Sequence, residues 1–214
     1  MRLAEKDRAA IIGNGKEFVP EDIDEYGLII GCDGGCQALH QKNVMPNLLV
    51  GDFDSIQPDI LNYYQQAGLE MVAFPKEKNY TDMQLAIDEA FQRGYSLIDL
   101  YGASGSRLDH TLMNMMLLFY IQDQGGYGRM IDENNLIFAA ERETILEKFF
   151  DRQYVSLIPV EDCRGISLTG FKYPLKEFNS LTKESRCISN ELVEKKGIVR
   201  IRSGRMLIIV AKEE

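Results

Sequence analysis

Residues 27–55, GLIIGCDGGCQALHQKNVMPNLLVGDFDS, carry the clearest signal of the fold class. Two short apolar runs, 27–30 and 47–50, are each followed by a glycine-containing polar cluster, CDGG at 32–35 and GDFDS at 51–55. Near-continuous apolar runs are typical of strands that are buried on both faces of a parallel sheet. Because ligands bind outside the carboxyl ends of such strands, we expect both clusters at one edge of the sheet.

The same alternation of strands and helices extends through the first two thirds of the chain. Apolar runs predict further strands at 9–12, 70–74 and 97–101, and helices are predicted at 58–66, 81–93 and 107–122. The first of these helices has proline in its first turn, where proline is tolerated. The second begins with the capping-box pattern Thr-x-x-Gln. Strands separated by helices imply a mostly parallel sheet with right-handed crossovers.

The pattern changes near residues 125–129, where the helix signals fade. Short strands separated by glycine and polar residues are predicted at 135–140, 143–149, 153–160, 165–169, 197–202 and 206–212. Such spacing is typical of a small antiparallel sandwich. The predicted fold class is therefore α/β: an open, mostly parallel sheet in an N-terminal domain, residues 1–128, followed by a small antiparallel β-sandwich domain, residues 129–214.

The composition is that of an ordinary globular protein. The chain has 214 residues, of which 45% are hydrophobic and 27% charged, and its formal net charge is -9. The absence of a Lys/Arg-rich block argues against nucleic-acid binding, and no apolar run approaches the ~20 residues that span a bilayer. With no signal-peptide pattern at the start and four cysteines outside any CxxC pair, a reducing cytoplasmic location is expected.

The carboxylates in the clusters predict a divalent metal site. Asp52 and Asp54 are two residues apart, so in an extended segment both would point the same way while Phe53 points into the protein. Two like charges side by side are costly unless a cation neutralises them, and Mg²⁺ prefers carboxylate oxygens. Taken alone, however, the Asp-x-Asp pair is more typical of a solvated turn.

The cluster after the fourth strand predicts a phosphate contact. Asp82 lies in the first turn of a predicted helix that Thr81 would cap, where a carboxylate also complements the helix dipole. Lys76 and Lys78 precede this helix. A basic loop that leads into a helix N-terminus is a natural site for phosphate. A phosphate-binding role for this cluster is therefore favoured over a purely structural role in capping the helix.

The cluster after the fifth strand combines small residues with Arg107, whose guanidinium can bind phosphate oxygens in a forked geometry. It matches neither a Walker A loop nor the GxGxxG fingerprint, and an ordinary tight turn is the alternative. On the following helix, His110 and Asn114 are four residues apart and are interpreted as a buried structural pair. The methionines of that helix are predicted to fill the core: Met113, Met115 and Met116.

Five short motifs follow one another along almost the whole chain. They are Cys32-Asp33-Gly34-Gly35, Gly51-Asp52-Phe53-Asp54-Ser55, Thr81-Asp82, Gly105-Ser106-Arg107-Leu108-Asp109-His110 and Ile188-Ser189-Asn190-Glu191. As a set, they resemble the thiamine pyrophosphokinase family. The resemblance implies an α/β nucleotide- and metal-binding catalytic domain and a β-sandwich domain for thiamine binding and dimerisation. It also implies a homodimer with active sites between the subunits.

The resemblance further implies roles for individual residues. The metal and phosphate group would be Asp52, Asp54 and Asp82, and with Arg107 and Asp109 these form the implied catalytic set. The implied ATP-site residues are Asp33, Gly34, Lys78, Thr81, Ser104, Gly105 and Arg107. The implied thiamine-site residues are Asp109, Ser189 and Asn190. Asn79 departs from the family pattern, since many relatives carry an acidic residue there.

The reaction implied by the resemblance is transfer of a diphosphate from ATP to the thiamine hydroxyl, with Mg²⁺ as cofactor and AMP as second product. Asp109 would orient or deprotonate the hydroxyl. Two other classes stay open from the residues alone. One is a Mg²⁺-dependent phosphohydrolase or nucleotidyl transferase with the same carboxylates, although a phosphatase with an Asp nucleophile usually has Thr where this chain has Ser55. The other is a non-catalytic nucleotide sensor, which would not need several converging carboxylates.

Overall fold

The apolar runs of the first half of the chain form a parallel sheet. A computed structural model describes residues 7–75, 77 and 79–213, and the chain divides into two units, Met1–Glu133 and Asn134–Glu214. The strands of the first unit are β1 (Arg8–Ile12), β2 (Leu28–Cys32), β3 (Leu48–Gly51), β4 (Glu70–Ala73), β5 (Leu97–Tyr101) and β6 (Tyr127–Ile131). They are ordered β4-β3-β2-β1-β5-β6, and every neighbouring pair is parallel.

Helices connect most of these strands. They are α1 (Gly35–Gln41), α2 (Pro58–Gln66), α3 (Asp82–Gln92) and α4 (Leu108–Asp123), with a short 3₁₀ turn at Ile23–Glu25. The predicted caps are confirmed: Pro58 begins α2, and the Gln84 N–H donates to Thr81 Oγ1 at 3.3 Å at the start of α3. Helix α1 was not predicted. Within the described residues, no helix is both long enough and apolar enough to cross a bilayer.

The order of the strands reverses between β1 and β5. From β1 the chain adds β2, β3 and β4 toward one edge, and it then returns to add β5 and β6 on the other side of β1. Ile12 at the end of β1 lies opposite Tyr101 at the end of β5. Where neighbouring strands lead away in opposite directions, their carboxyl ends open a crevice that ligands can enter.

The first unit also contains a buried polar network. Asp99 on β5 is fully buried, and it accepts hydrogen bonds from Arg129 Nε at 2.7 Å and from Tyr26 Oη at 2.8 Å. Tyr26 Oη also shares a hydrogen bond of 2.7 Å with the hydroxyl of Tyr101. Burial, together with the charge of Asp99, raises the pKa of Tyr26, so its hydroxyl stays protonated. The network joins β5 to β6.

The strands of the second unit form two groups, and the strand pairs within each group are antiparallel. Its strands are β7 (Asn135–Ala139), β8 (Glu143–Leu146), β9 (Gln153–Pro159), β10 (Cys163–Thr169), β11 (Leu175–Ser180), β12 (Gly197–Arg200) and β13 (Met206–Lys212). β13 pairs with β7 and β9, and the other sheet has the order β11-β10-β12-β8. Along β9, buried and partly buried residues alternate, as expected for a strand with one face in a core. The predicted fold class is confirmed.

The boundary between the units lies at Glu133, five residues beyond the predicted residue 128. The reason is β6, a strand that the sequence pattern did not predict. It pairs in parallel with β5 and therefore belongs to the first sheet. Strand β11 was also missed, because its sequence, LKEFNS, is mostly polar and its burial is irregular.

Candidate active site

Two loops meet at the reversal of strand order. The loop after β1 donates hydrogen bonds to the loop after β5, from Gly15 N to Gly102 O at 2.7 Å and from Lys16 N to Ser104 O at 2.5 Å. A Cβ atom at Gly15 would clash with the carbonyl oxygen of Ser104. Gly102 has φ +55°, in the left-handed region that glycine adopts without strain. The two glycines therefore allow the two strand ends to be joined through their backbones.

A cavity of about 870 Å³, which we call the strand-end cavity, opens around these loops. Its size is within the range of small-molecule and cofactor sites. The lining residues come from the loops after β1, β2 and β5 and from the N-terminal turns of α3 and α4: Gly13, Asn14, Gly15, Lys16, Cys32, Asp33, Thr81, Asp82, Met83, Gly102, Ala103, Ser104, Gly105, Ser106, Arg107, His110, Thr111 and Asn114. Clusters that are far apart in the sequence thus surround one cavity.

Three carboxylates gather beside the strand-end cavity. Asp33, Asp52 and Asp54 each offer an oxygen, and these oxygens lie within 4.8 Å of one another. The 52–54 segment is not extended as expected, because Phe53 has φ +63° and the Asp54 N–H donates to Asp52 Oδ1 at 3.0 Å. A turn, rather than the alternation of a strand, brings the two carboxylates together. Phe53 does point inward, where it packs against the core of the first unit.

Asp33 is the most constrained member of this acidic cluster. Its backbone has φ +50°, and its Oδ2 accepts a hydrogen bond from Ser55 Oγ at 2.5 Å. Its Oδ1 is buried and has no hydrogen-bond partner among the described residues. Burial raises the pKa of Asp33, against the effect of the Ser55 bond, and the charges of Asp82 and Asp52 raise it further. A buried, unpartnered carboxylate oxygen among like charges is an environment that a cation would stabilise.

Thr81 and Asp82, at the start of α3, also line the strand-end cavity. Asp82 is in the first turn of α3 and lines the cavity with Asp33, but it lies outside the group of three carboxylates. Gly34 precedes α1 and packs so tightly on the side chain of Asn14 that a Cβ would clash. Lys78, the remaining predicted ATP contact on this side, lies outside the described residues.

Arg107 and Asp109 form an exposed ion pair. Arg107 donates from Nη2 to Asp109 Oδ2 at 2.6 Å and from Nε to Oδ1 at 3.3 Å, and Arg107 also lines the cavity. This pairing lowers the pKa of Asp109 to about 2 and raises that of Arg107. A carboxylate with so low a pKa is a weak base near neutral pH.

The helix that follows corrects two predictions. Asn114 is buried and donates from Nδ2 to Ala103 O at 2.8 Å, whereas His110 is exposed and lines the cavity, so the two do not form the expected buried pair. Met113 is 45% exposed and does not fill the core. Both differences arise because the apolar core contacts of α4 begin only at Leu117, and its first turns face outward.

The predicted thiamine-site residues of the second unit have contrasting surroundings. Ser189 is exposed, has φ +55°, and donates its N–H to Ser156 Oγ at 3.0 Å. Asn190 is buried, and its side chain binds both the N–H and the carbonyl of Tyr173, at 3.0 and 2.8 Å. The amide of Asn190 therefore orders the neighbouring backbone. Neither residue is among those that line the strand-end cavity.

The loop after β1 was not predicted to be part of the site. Asn14 and Lys16 of this loop line the cavity, but no role was predicted for the run Gly-Asn-Gly-Lys at residues 13–16. The same signal that marked the other clusters, polar and glycine residues directly after a buried strand, is present here. It could have placed these residues in the site.

Comparison with known proteins agrees with this architecture. The family model for the catalytic domain of thiamin pyrophosphokinase matches residues 20–126, and the model for its vitamin B1 binding domain matches residues 142–208. Thiamine pyrophosphokinase of Bacillus subtilis (strain 168) is 33% identical over 204 residues, which cover 93% of this chain and 95% of that protein.

Solved structures extend the likeness to three dimensions. A crystal structure of thiamine pyrophosphokinase from Bacillus subtilis has a TM-score of 0.87 at 31% identity and covers 97% of this chain and 99% of that chain. A thiamin pyrophosphokinase family protein from Enterococcus faecalis has a TM-score of 0.87 at 29% identity, covering 97% and 100%. The predicted resemblance is confirmed in sequence and in fold. The chain belongs to the thiamin pyrophosphokinase family and is an enzyme with the activity that the family name states.

Proposed function

We propose that ATP binds in the strand-end cavity and that its terminal diphosphate is transferred from there to thiamine. The observation that carries this proposal is the acidic cluster of Asp33, Asp52 and Asp54, whose oxygens lie within 4.8 Å of one another beside the cavity. Anionic groups of this density next to a polyanionic substrate require a cation between them.

Mg²⁺ suits the donor set, since carboxylate oxygens are its preferred protein ligands and Asp33 Oδ1 is buried without a partner. We propose Asp33, Asp52 and Asp54 as the residues that hold it, with Asp82 beside them toward the phosphates. Bound Mg²⁺ would supply neutralisation of the phosphate charge. Placing Asp33 in the metal group enlarges the set of Asp52, Asp54 and Asp82 that the sequence predicted.

The protein groups act mainly by positioning. The thiamine hydroxyl oxygen forms a bond to the β-phosphorus of ATP, the bond from that phosphorus to the oxygen of AMP breaks, and the hydroxyl proton is released to water. Arg107 would bind a phosphate oxygen, and Thr81, Ser104 and Gly105 would contact the nucleotide from the cavity wall. Since its pKa is lowered to about 2, we propose that Asp109 orients the hydroxyl rather than removing its proton.

The second unit would supply the thiamine site. We propose that exposed Ser189 contacts thiamine and that buried Asn190 orders the segment around it. The predicted homodimer, with active sites at the subunit interface, agrees with the exposed apolar side chains on α4 next to the cavity residues, Leu108 at 77% and Leu112 at 59%. We retain the cytoplasmic location as a prediction, with all four cysteines as thiols.

Asp54→Asn tests the metal assignment. Asp54 is exposed, so the variant is expected to fold. Loss of one carboxylate should lower the rate of AMP and thiamine diphosphate formation by roughly 100-fold or more and raise the Mg²⁺ concentration needed for half-maximal rate. Turnover equal to that of the unsubstituted enzyme, with unchanged Mg²⁺ demand, would refute the assignment.

A further inference from the structure

The backbone of Lys16 is fixed beside the strand-end cavity. Lys16 follows Gly15 in the loop after β1, and its N–H donates to Ser104 O at 2.5 Å. Lys16 is among the residues that line the cavity. Because the backbone is tied to the loop after β5, the ammonium group can move only within the reach of its own four-carbon side chain.

The lining of the cavity contains acidic side chains, so a polyanionic ligand bound there needs a cationic side chain beside it. Asp33 and Asp82 both line it. Among the lining residues that the structure describes, Lys16 and Arg107 carry a permanent positive charge. Arg107 is engaged by both carboxylate oxygens of Asp109. Lys16 is therefore the lining cation whose counter-ion is more easily exchanged.

The resting partner of Lys16 is Glu133. Lys16 Nζ lies 3.3 Å from Glu133 Oε2, and the two side chains are 56% and 62% exposed. Exposed pairs of this kind are weak, because water and salt screen the attraction. A phosphate group carries more charge and more acceptor oxygens than a carboxylate, and lysine binds phosphate as a compact point charge.

We infer that Lys16 is a further ATP-binding residue, whose ammonium exchanges Glu133 for a phosphate oxygen when the nucleotide enters. The inference rests on the proposed placement of ATP in this cavity and adds a contact from the loop after β1. Glu133 competes with the nucleotide for Lys16 and holds the side chain in the absence of ATP.

Kinetics and binding of Lys16→Met test the inference. Loss of a charged contact to phosphate should raise the KM for ATP about 10-fold, with the KM for thiamine unchanged. Calorimetric binding of ATP with Mg²⁺ and without thiamine should weaken by a similar factor. Added salt should reduce the difference between the two proteins, since it screens the contact. Glu133→Gln should leave the KM for ATP equal or lower it by a few-fold, because the competing carboxylate is gone.

Two variants separate this inference from the proposed function. Lys196→Met removes a comparably exposed lysine, paired with Glu147 at 3.0 Å in the second unit, and should leave both KM values unchanged. Arg107→Met tests the cavity itself and should also raise the KM for ATP. If Arg107→Met raises it and Lys16→Met does not, the inference about Lys16 fails alone; if neither does, the placement of ATP in the cavity fails with it. An increase with Glu133→Gln as large as that with Lys16→Met would also overturn the inference, since the pair would then act as a structural unit.

Discussion

Replacing Asp52 with asparagine is expected to stabilise the metal-free protein while removing its response to Mg²⁺. Asp52 is suited to this test because its Oδ1 accepts the Asp54 N–H at 3.0 Å. The Oδ1 of asparagine can accept the same hydrogen bond, so the turn at residues 52–54 is kept. The substitution then changes mainly the charge of the acidic cluster.

The magnitude follows from the separation of the oxygens. At 4.8 Å two unit charges repel by about 1 kcal/mol with the screening of water and by about 3.5 kcal/mol at an effective dielectric constant of about 20. Since Asp52 is partly buried and Asp54 exposed, the lower value applies, and relief from two neighbours amounts to about 2 kcal/mol. A neutral acceptor weakens the Asp54 hydrogen bond by about 0.5–1 kcal/mol. The net gain of about 1 kcal/mol corresponds to a rise in Tm of about 2–4 °C.

The assay is thermal unfolding in EDTA and in increasing Mg²⁺. Mg²⁺ at about 100 times its Kd would stabilise the unsubstituted protein by about 2.7 kcal/mol, which exceeds the gain from the substitution, so the order of the two melting temperatures should reverse. Asp24→Asn, an exposed acid outside the acidic cluster, is the control and should keep the full response to Mg²⁺. The reasoning is refuted if Asp52→Asn melts below the unsubstituted protein in EDTA, or if Mg²⁺ raises both by the same amount.

Two further substitutions probe the buried charges of the first unit. Asp99→Asn leaves the guanidinium of Arg129 with a neutral partner in a buried site, so the free energy of unfolding in urea should fall by about 3 kcal/mol; a loss no larger than that of exposed Glu143→Gln would contradict this. Asp33→Asn should change how the metal-free protein responds to pH. The folded-state pKa of Asp33 is raised above its ordinary 3.8. Ionisation of Asp33 therefore lowers the free energy of unfolding as the pH rises from 3.8 through the folded-state pKa, and the variant should not show this decrease. The difference in Tm between the two proteins, followed against pH, checks the sign, and a constant difference would disprove it.

Local sequence predicted those elements whose signals lie within the element itself. The helix predicted at 58–66 is α2, because Pro58 and the apolar spacing act within a few residues. Strand β6 was missed because its sequence, YGRMI, places an arginine and a glycine in a short run. That arginine, Arg129, is tolerated in the sheet only because Asp99, thirty residues earlier in the chain, lies beside it. Such a compensation is not visible in a local pattern.

In the candidate site, too, some features were predicted from local sequence and others were not. The clusters after β2 and β3 were expected at one edge of the sheet, and those after β4 and β5 were predicted to contact phosphate. Asp33, Asp82 and Arg107 do line one cavity. The composition of the acidic cluster was not foreseen. Asp33 joins Asp52 and Asp54 there, since positive φ values at Asp33 and Phe53 turn the loops toward each other. Asp82 lies outside this group.

The amino-acid sequence was enough to show that buried strands end in clusters of carboxylates, glycines and basic residues, and that a second, antiparallel unit follows. Apolar runs, caps and motifs act over a few neighbouring residues, so they can be recognised in the sequence alone. The folded structure was needed to show that β1 lies next to β5, so that Lys16 and Arg107 line one cavity, and that three carboxylates come together beside it. Strand order and the meeting of loops depend on hydrogen bonds and packing between residues far apart in the chain, which no local pattern records.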